Sequence, residues 1–133
     1  LKAIGSRIPL ANPPALIEWN LSKRYLAELA EQGVPSIPTL WADRLAGLTP
    51  EDIRTDIKAE QIVIKPVIGA GGVNQYKGPL DTLPPRDHPL WHQGVMIQPF
   101  MASIAEEGEL SFIFFDGVFS HAVRKTPARG LPW

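Results

Sequence analysis

The 133-residue sequence lacks three things: cysteine, an excess of charge of one sign, and long apolar runs. The absence of cysteine excludes disulfides, thiolate zinc sites, Fe–S clusters and cysteine nucleophiles. Thirteen basic and 14 acidic residues give a formal net charge of −1. The broad positive field on which most nucleic-acid binders rely is therefore missing, and we expect no nucleic-acid partner, although a local basic site is compatible with this balance.

Membrane and metal signals are equally weak. The longest apolar runs, such as Phe112–Phe115, are far too short to span a bilayer, and no signal-peptide pattern is present. We therefore expect no membrane partner and a cytoplasmic location. His88 and His92 have helical spacing, but Pro89 interrupts the helix that would align them, so the pair does not favour a zinc site.

Fourteen prolines and 11 glycines divide a chain of ordinary globular composition into short elements, without an internal repeat. Asn20 is a good helix N-cap and Gly33 a good stop, whereas Thr49 and Pro50 are typical of a second helix start. The predicted helices, after an irregular lead-in over residues 1–19, cover Leu21–Gln32 and the segment from Pro50 to about Ile57. The predicted strands cover Ser36–Trp41, Gln61–Lys65, a segment that starts at Val73, and Val95–Phe100. Residues 77–94 are predicted to wind over the surface, with Trp91 as an anchor into the core.

A glycine loop follows the clearest strand. Gln61–Lys65 is rich in β-branched residues, Pro66 ends it, and Gly69-Ala70-Gly71-Gly72 comes next. A lysine at a strand end beside bare backbone N–H groups predicts a phosphate clamp, and the alternative is a flexible hairpin loop with a surface lysine. Two common phosphate-binding motifs are excluded, because Val73-Asn74 follows the loop instead of the residues those motifs require.

A two-residue turn, Asp116-Gly117, predicts a hairpin between Glu109–Phe115 and Val118–Arg124. Counting outward from the turn pairs Phe115 with Val118 and Glu109 with Arg124. One face then carries an apolar set that is typical of a core: Leu110, Phe112, Phe114, Phe119, His121 and Val123. On this register His121 is predicted to be a packed histidine rather than a catalyst.

Several motifs occur in an order and spacing that resemble a known family. They are Asn20 with Lys23-Arg24-Tyr25-Leu26, Gly33-Val34-Pro35 with Pro38-Thr39, Ile62-Val63-Ile64-Lys65-Pro66, the Gly69 to Gly72 loop, Ile97-Gln98-Pro99-Phe100 and Glu107-Gly108-Glu109-Leu110-Ser111. From about Asn12 to Pro127 the chain resembles the ATP-grasp fold, in the branch of bacterial glutathione synthetase and the ribosomal-protein glutamate ligases. The resemblance implies an α+β ATP-grasp fragment: a mixed or antiparallel sheet with two flanking helices over residues 20–98, then a hairpin that starts a second lobe over residues 99–133.

The resemblance also implies roles for individual residues. Lys23 and Lys65 match the lysines that hold ATP phosphates, and Glu109 matches the carboxylate that binds the ribose hydroxyls. Lys125, or else Arg124, matches the basic group near the transferred phosphate. The remaining implied contacts are the flap over the phosphates, Gly69, Ala70, Gly71 and Gly72, and the adenine hinge, Gln98, Pro99, Phe100 and Met101. Read without the family, Lys23 is an exposed helix lysine and Glu109 an edge salt bridge to Arg124.

In this family ATP phosphorylates a carboxylate and an amine attacks the acylphosphate, so the implied partners are ATP and carboxylate and amine substrates. The family's magnesium ligands would lie beyond Lys125, and the sequence ends at Trp133. We therefore expect the central part of a larger magnesium-dependent ligase, catalytically incomplete by itself. The alternatives are a non-catalytic remnant that self-associates as a homo-oligomer, and a fragment of an ATP-grasp kinase.

Overall fold

The structure, a computed structural model, describes Gly5 and residues 7–126. One compact unit ends at Pro99 and a second begins at Phe100. The elements in chain order are α1 (Pro14–Leu21), α2 (Tyr25–Glu31), β1 (Leu40–Ala42), α3 (Pro50–Asp56), β2 (Gln61–Pro66), β3 (Tyr76–Pro79), a 3-10 helix (Pro89–His92), β4 (Val95–Pro99), α4 (Ala102–Glu106), β5 (Glu109–Phe115) and β6 (Val118–Lys125). No helix among these is long and apolar enough to cross a bilayer.

The beginning of the chain differs from the prediction. Residues predicted as irregular form α1, which starts at Pro14, a position where proline's missing N–H costs no helical bond. Asn20 lies inside α1 and caps nothing. The predicted helix over Leu21–Gln32 is broken at Ser22, whose extended backbone bridges Ile68. A bridge between residues 46 positions apart leaves no trace in the local apolar spacing.

The end of α2 is as predicted. Gly33 has φ +83°, the left-handed conformation that glycine adopts without a Cβ clash. The Val34 N–H donates to the Leu29 carbonyl at 3.0 Å, and the Gly33 N–H donates to the Ala30 carbonyl at 2.9 Å. These two bonds form a Schellman motif, which satisfies carbonyls that the helix end would otherwise leave unpaired.

The first unit contains a four-stranded sheet in the order β1-β4-β2-β3, with all neighbours antiparallel. The predicted strands at Gln61–Lys65 and Val95–Phe100 are confirmed to within one residue. The predicted strand over Ser36–Trp41 is confined to Leu40–Ala42, and the segment predicted from Val73 becomes a strand only at Tyr76. The intervening loop has positive φ at Gly71, Gly72 and Asn74, which extended pairing does not allow.

Alternation along the central strands decides which side chains enter the core. Ile62 and Ile64 of β2 are fully buried with Val95 and Ile97 of β4. Leu45, Ile53, Ile57, Leu80, Leu90 and Trp91 complete this cluster. Trp91 is 5% exposed, so the predicted anchor is confirmed. Because successive side chains of a strand point to opposite faces, Val63 and Lys65 are presented on the other side of the sheet.

Helix α3 begins with the predicted cap. The Thr49 hydroxyl accepts from the Asp52 N–H, and the Asp52 carboxylate accepts from the Thr49 N–H at 2.8 Å, which forms a capping box. Hydrogen bonds from the Thr49 side chain, and then from its backbone, lower the pKa of Asp52 below its usual value. The ionised form of Asp52 is therefore favoured in the folded chain.

This capping box gives a pH-dependent prediction. A carboxyl whose pKa is lower in the folded state stabilises the fold above its unfolded pKa of about 4, and that stability is lost as the pH falls through the folded value. We expect Asp52→Asn to make the loss of stability below about pH 4 shallower. Urea unfolding at several acidic pH values checks this, with Asp56→Asn in the same helix as control. Equal pH slopes for Asp52→Asn and the unsubstituted chain would contradict the prediction.

The hairpin of the second unit is confirmed, but its register is partly wrong. Asp116 (φ 49°) and Gly117 (φ 76°) have the positive φ pair of a type I′ turn, and Phe115 lies opposite Val118 as predicted. A bulge between Ile113 and Phe114 then shifts the partner strand by one residue. Glu109 consequently lies opposite Lys125, and the predicted pairing of Glu109 with Arg124 is wrong.

The hairpin face that was predicted as core is exposed. Its large apolar side chains, Leu110, Phe112, Phe114 and Phe119, are between 51% and 59% exposed. The bulge places His121 opposite Ile113 and Val123, which is 41% exposed, opposite Ser111, so the prediction that these two share that face is wrong. His121 is exposed as well and accepts or donates a 2.9 Å hydrogen bond at Nδ1 with the Ser120 hydroxyl, so the prediction of a packed histidine is wrong. Strand alternation identifies an apolar face, but it does not determine whether another layer covers that face.

Candidate functional site

The sheet face opposite the core carries a chain of polar contacts that starts at Lys65. The Lys65 ammonium donates to Gln98 Oε1 at 3.1 Å, across the β2–β4 pairing. Gln98 Nε2 donates to the Thr39 hydroxyl at 2.9 Å, and that hydroxyl donates to the Ile37 carbonyl at 2.8 Å. Gln98 is 7% exposed, and it is the one polar residue that is buried among the described residues. Its side-chain oxygen and nitrogen are both hydrogen-bonded.

Lys23 occupies the break between α1 and α2 and is tied to the start of the glycine loop. Its backbone N–H donates to the Val67 carbonyl at 2.9 Å. Its ammonium donates to the carbonyls of Pro66 at 2.9 Å and Gly69 at 2.6 Å. The residue predicted as a phosphate-binding lysine thus sits directly beside the loop that follows the strand of Lys65.

The two lysines influence each other electrostatically. Burial lowers the pKa of Lys23, and the positive charge of Lys65 lowers it further. Both causes disfavour the charged ammonium, whose hydrogen bonds are accepted by the Pro66 and Gly69 carbonyls. An anion bound between the two ammonium groups would oppose both effects, because an opposite charge nearby favours the charged form of a base.

The loop between these lysines and β3 has a backbone that requires glycine. Gly71 and Gly72 have φ +66° and +75°, and nothing but open space lies where a Gly71 Cβ would be. Gly69, Ala70 and Gly71 are exposed, and Gly72 is half-buried. The backbone amides of this loop are therefore not shielded by side chains. The phosphate-clamp hypothesis requires amides that are accessible in this way.

The remaining predicted residues divide between the two units. Pro99 ends β4 in the first unit, whereas Phe100 and Met101 begin the second. Within the second unit, Lys125 Nζ lies 3.5 Å from Glu109 Oε1, and both side chains are more than half exposed. Arg124 lies opposite Leu110. Of the two basic candidates, Lys125 is therefore the one that shares a cross-strand position with Glu109.

Thr39 is the residue that sequence reasoning missed. It precedes β1, in a segment whose extent was predicted as Ser36–Trp41, and its hydroxyl orients the Gln98 amide. The signal available in the sequence was a hydroxyl side chain two positions before Trp41, on the same face of an extended segment. Nothing local, however, indicates that its partner is 59 residues away.

The described residues contain no group of three or more His, Asp or Glu side chains arranged to hold a metal ion. The contacts above suit an anion instead, since they consist of two ammonium groups and accessible backbone amides. The ring of Trp41, next to this site in β1, is covered by the Arg24 guanidinium at 5.8 Å, and Arg24 also pairs with Asp43 at 2.5 Å.

Comparison with known proteins identifies a sequence relative and a structural relative. No protein-family model matches the chain. The chain is 38% identical over 126 residues to the cycloserine biosynthesis protein DcsG of Streptomyces lavendulae, with 87% of this chain and 42% of that protein covered. The crystal structure of the D-cycloserine synthetase DcsG aligns with a TM-score of 0.75 and 29% identity, over 94% of this chain and 45% of that one. The chain thus spans less than half the length of the relative it matches.

Proposed function

We propose that this chain is the ATP-binding portion of an ATP-grasp ligase that joins a carboxylate to an amine. The observation that carries the proposal is the contact of Lys23 with the start of an exposed glycine loop, at a place where the charge of Lys65 also acts on it, so that the pKa of Lys23 is lowered by burial and by the Lys65 charge. An anion bound there would favour the charged form of Lys23. Homology to a protein named as a synthetase supports the ligase class over a kinase.

In the proposed complex the two ammonium groups bind ATP phosphates, and the amides of residues 69–72 close over them. Lys23 then exchanges the Pro66 and Gly69 carbonyls for phosphate oxygens. Charge-assisted hydrogen bonds to phosphate are about twice as strong as those between neutral groups, which favours the exchange. Gln98 and its neighbours to Met101 bind adenine, and Glu109 binds the ribose hydroxyls.

The proposed reaction has two steps. A substrate carboxylate oxygen attacks the terminal phosphorus of ATP, the bond to the bridging oxygen breaks, and ADP leaves. The amine nitrogen then attacks the carbonyl carbon of the acylphosphate, inorganic phosphate leaves, and the amine loses a proton. Lys125, or else Arg124, balances the charge on the transferred phosphate, because a fixed cation stabilises charge that develops in the transition state.

Magnesium is proposed for the complete parent protein only. The chemistry needs a cation that neutralises the phosphates, but the described residues supply no set of acidic side chains for it. The carboxylate and amine substrates are likewise proposals for the whole protein. The chain's own contribution is phosphate and nucleotide binding.

Titration of the 133-residue chain with ATP, followed by tryptophan fluorescence, tests the proposal. We expect saturable quenching, because Trp41 lies on the β1 strand beside Thr39 and the site face. Addition of EDTA should leave binding detectable, since the protein contacts proposed here are made by cations and amides of the chain. Absence of saturable binding at millimolar ATP would overturn the proposal.

The Thr39–Gln98 contact leads to a smaller, positional prediction. In Thr39→Val the Gln98 Nε2 loses its 2.9 Å acceptor while the side-chain shape is kept. The amide can then rotate and no longer fixes the oxygen that holds Lys65. We expect ATP affinity to fall about threefold to tenfold, a loss of roughly 1 kcal/mol typical of one hydrogen bond.

Thr39→Ser, which retains the hydroxyl, is the matched control and should bind ATP as the unsubstituted chain does. If Thr39→Val and Thr39→Ser bind ATP equally well, the Thr39 hydroxyl does not position Lys65. Thermal unfolding of both variants shows whether a change in affinity merely reflects a loss of folded protein.

The exposed hairpin face favours a second candidate, a non-catalytic remnant that self-associates. A two-stranded sheet is marginally stable in water, and four large apolar side chains, Leu110, Phe112, Phe114 and Phe119, are exposed on one face of this one. A second copy of the chain presents the same face, so a symmetric pair could bury both. This candidate requires self-association without ATP binding.

Sedimentation tests the association. The rings of Phe112 and Phe119 lie 6.3 Å apart on the exposed face, and Phe112→Ser with Phe119→Ser should convert a concentration-dependent dimer into a monomer. Phe115→Ser, an equally exposed phenylalanine on the opposite face, is the control and should leave the dimer intact. A chain that is monomeric at every concentration would exclude this candidate.

A further inference from the structure

A cationic pocket in the first unit has no role in the proposed ATP site. It is lined by Arg44, Ala46, Arg86, Trp91 and His92. Two guanidinium groups and an imidazole border it, and no carboxylate is among its lining residues. In a chain of net charge −1, this is a local concentration of positive charge.

The pocket has a rigid wall. The Trp91 indole N–H donates to the carbonyls of Pro84 at 3.2 Å and Pro85 at 2.7 Å, and the ring is 5% exposed within the core. The Arg86 guanidinium lies 4.2 Å from the centre of this ring. Contact through the face of the ring leaves the in-plane N–H groups of Arg86 available, because those donors point along the guanidinium plane.

Neither guanidinium is paired with a carboxylate of the described residues. Within residues 7–126, Arg44 and Arg86 form no salt bridge with a carboxylate, whereas Arg24, Arg54 and Lys125 each do. Asp43, the acidic neighbour of Arg44 in sequence, is bound by Arg24 at 2.5 Å. Their guanidinium N–H groups are therefore not engaged by a carboxylate of residues 7–126 and can donate to a ligand.

The position of Trp91 separates this pocket from the ATP site. Trp91 belongs to the cluster on the core face of the sheet, with Ile64 and Ile97. Lys65 and Gln98 are carried by the same strands but point to the opposite face. A phosphate bound in the pocket therefore lies on the other side of the sheet from a phosphate bound at Lys65.

We propose that this pocket binds the phosphate dianion of a small molecule, either inorganic phosphate or a phosphate monoester. Two guanidinium groups match the charge and the several acceptor oxygens of a phosphate, which a singly charged carboxylate does not. Trp91 is covered by Arg86 and buried, so a nucleobase finds no free ring to stack on. Recognition is thus of the phosphate group, without selection for a base.

NMR titration of the 133-residue chain tests this, with inorganic phosphate, glycerol phosphate and acetate as separate probes. We expect saturable shifts of the Trp91 indole N–H and the His92 amide with both phosphates and not with acetate. Equal affinity for the two phosphates identifies the free anion as sufficient, and tighter binding of glycerol phosphate identifies a monoester as the ligand. Saturation by acetate, or by none of the three, would overturn the proposal.

Substitutions make the test specific. Arg44→Gln and Arg86→Gln should each weaken phosphate binding about tenfold or more, since each removes charge-assisted hydrogen bonds. Arg54→Gln removes the same charge from an arginine already paired with Glu51 and Asp81, and should leave binding unchanged. It is Arg86 whose guanidinium lies over the buried Trp91 ring. Arg44→Gln therefore remains informative if Arg86→Gln perturbs folding.

A Lys65→Ala background distinguishes this site from the proposed ATP site. The Trp91 and His92 shifts should persist there, because Lys65 lies on the other face of the sheet. Loss of those shifts in Lys65→Ala would show that phosphate acts from the ATP site and would contradict the separate pocket. Failure of ATP binding with retained phosphate shifts would overturn the proposed function and leave this pocket standing.

Discussion

Replacement of Lys65 by alanine should lower ATP affinity about 10-fold to 100-fold, which corresponds to the roughly 1.5–3 kcal/mol of a hydrogen bond to a charged group. Lys65 is held by Gln98 and contributes to the lowered pKa of Lys23. Its loss removes one of the two cations of the proposed phosphate site. Isothermal titration of each variant with ATP measures the effect.

Two controls sharpen this prediction. Lys58→Ala removes an equal charge from an exposed lysine that donates to the Arg54 carbonyl, and should leave ATP affinity unchanged. Lys65→Arg keeps the charge but replaces a compact ammonium with a planar fork, so we expect affinity between that of Lys65→Ala and that of the unsubstituted chain. ATP affinity equal in Lys65→Ala and Lys58→Ala would remove Lys65 from the site and leave the proposed function without its central contact.

Replacement of Ile64 by alanine should lower the free energy of unfolding by about 2–5 kcal/mol. Ile64 is fully buried in the core cluster, and its removal leaves a cavity that the packed strands β2 and β4 cannot readily fill. Domains of this size are marginally stable, so a loss of this magnitude is a large fraction of the total. Urea unfolding followed by tryptophan fluorescence measures it.

Ile68→Ala is the matched control, because it is the same substitution four residues along, at a side chain that is 67% exposed. Its effect should stay within about 0.5 kcal/mol. If the two variants unfold at the same urea concentration, Ile64 is not part of a packed core and the assignment of the two sheet faces is wrong. That result would also remove the reason for Lys65 to lie on the opposite face.

The sequence by itself determined elements that rest on local chemistry. Thr49-Pro50 capped α3, Gly33 ended α2, and Asp116-Gly117 closed the hairpin, since each depends on backbone conformations set by neighbouring residues. Within Gln61–Lys65 the residues Ile62-Val63-Ile64 are all β-branched, and the run formed a central strand. Its lysine and the glycines after it were therefore recognisable as a candidate phosphate site.

Only the tertiary structure decided where distant segments meet. The bridge of Ser22 to Ile68 broke the predicted helix and brought Lys23 to the glycine loop, and the bulge after Ile113 moved Glu109 from Arg124 to Lys125. Thr39 became part of the site through a contact spanning 59 residues. Apolar periodicity and helix capping reflect interactions between residues a few positions apart, whereas these contacts depend on packing between strands. Packing also decided that one apolar face of the sheet was buried and that the apolar face of the hairpin stayed exposed.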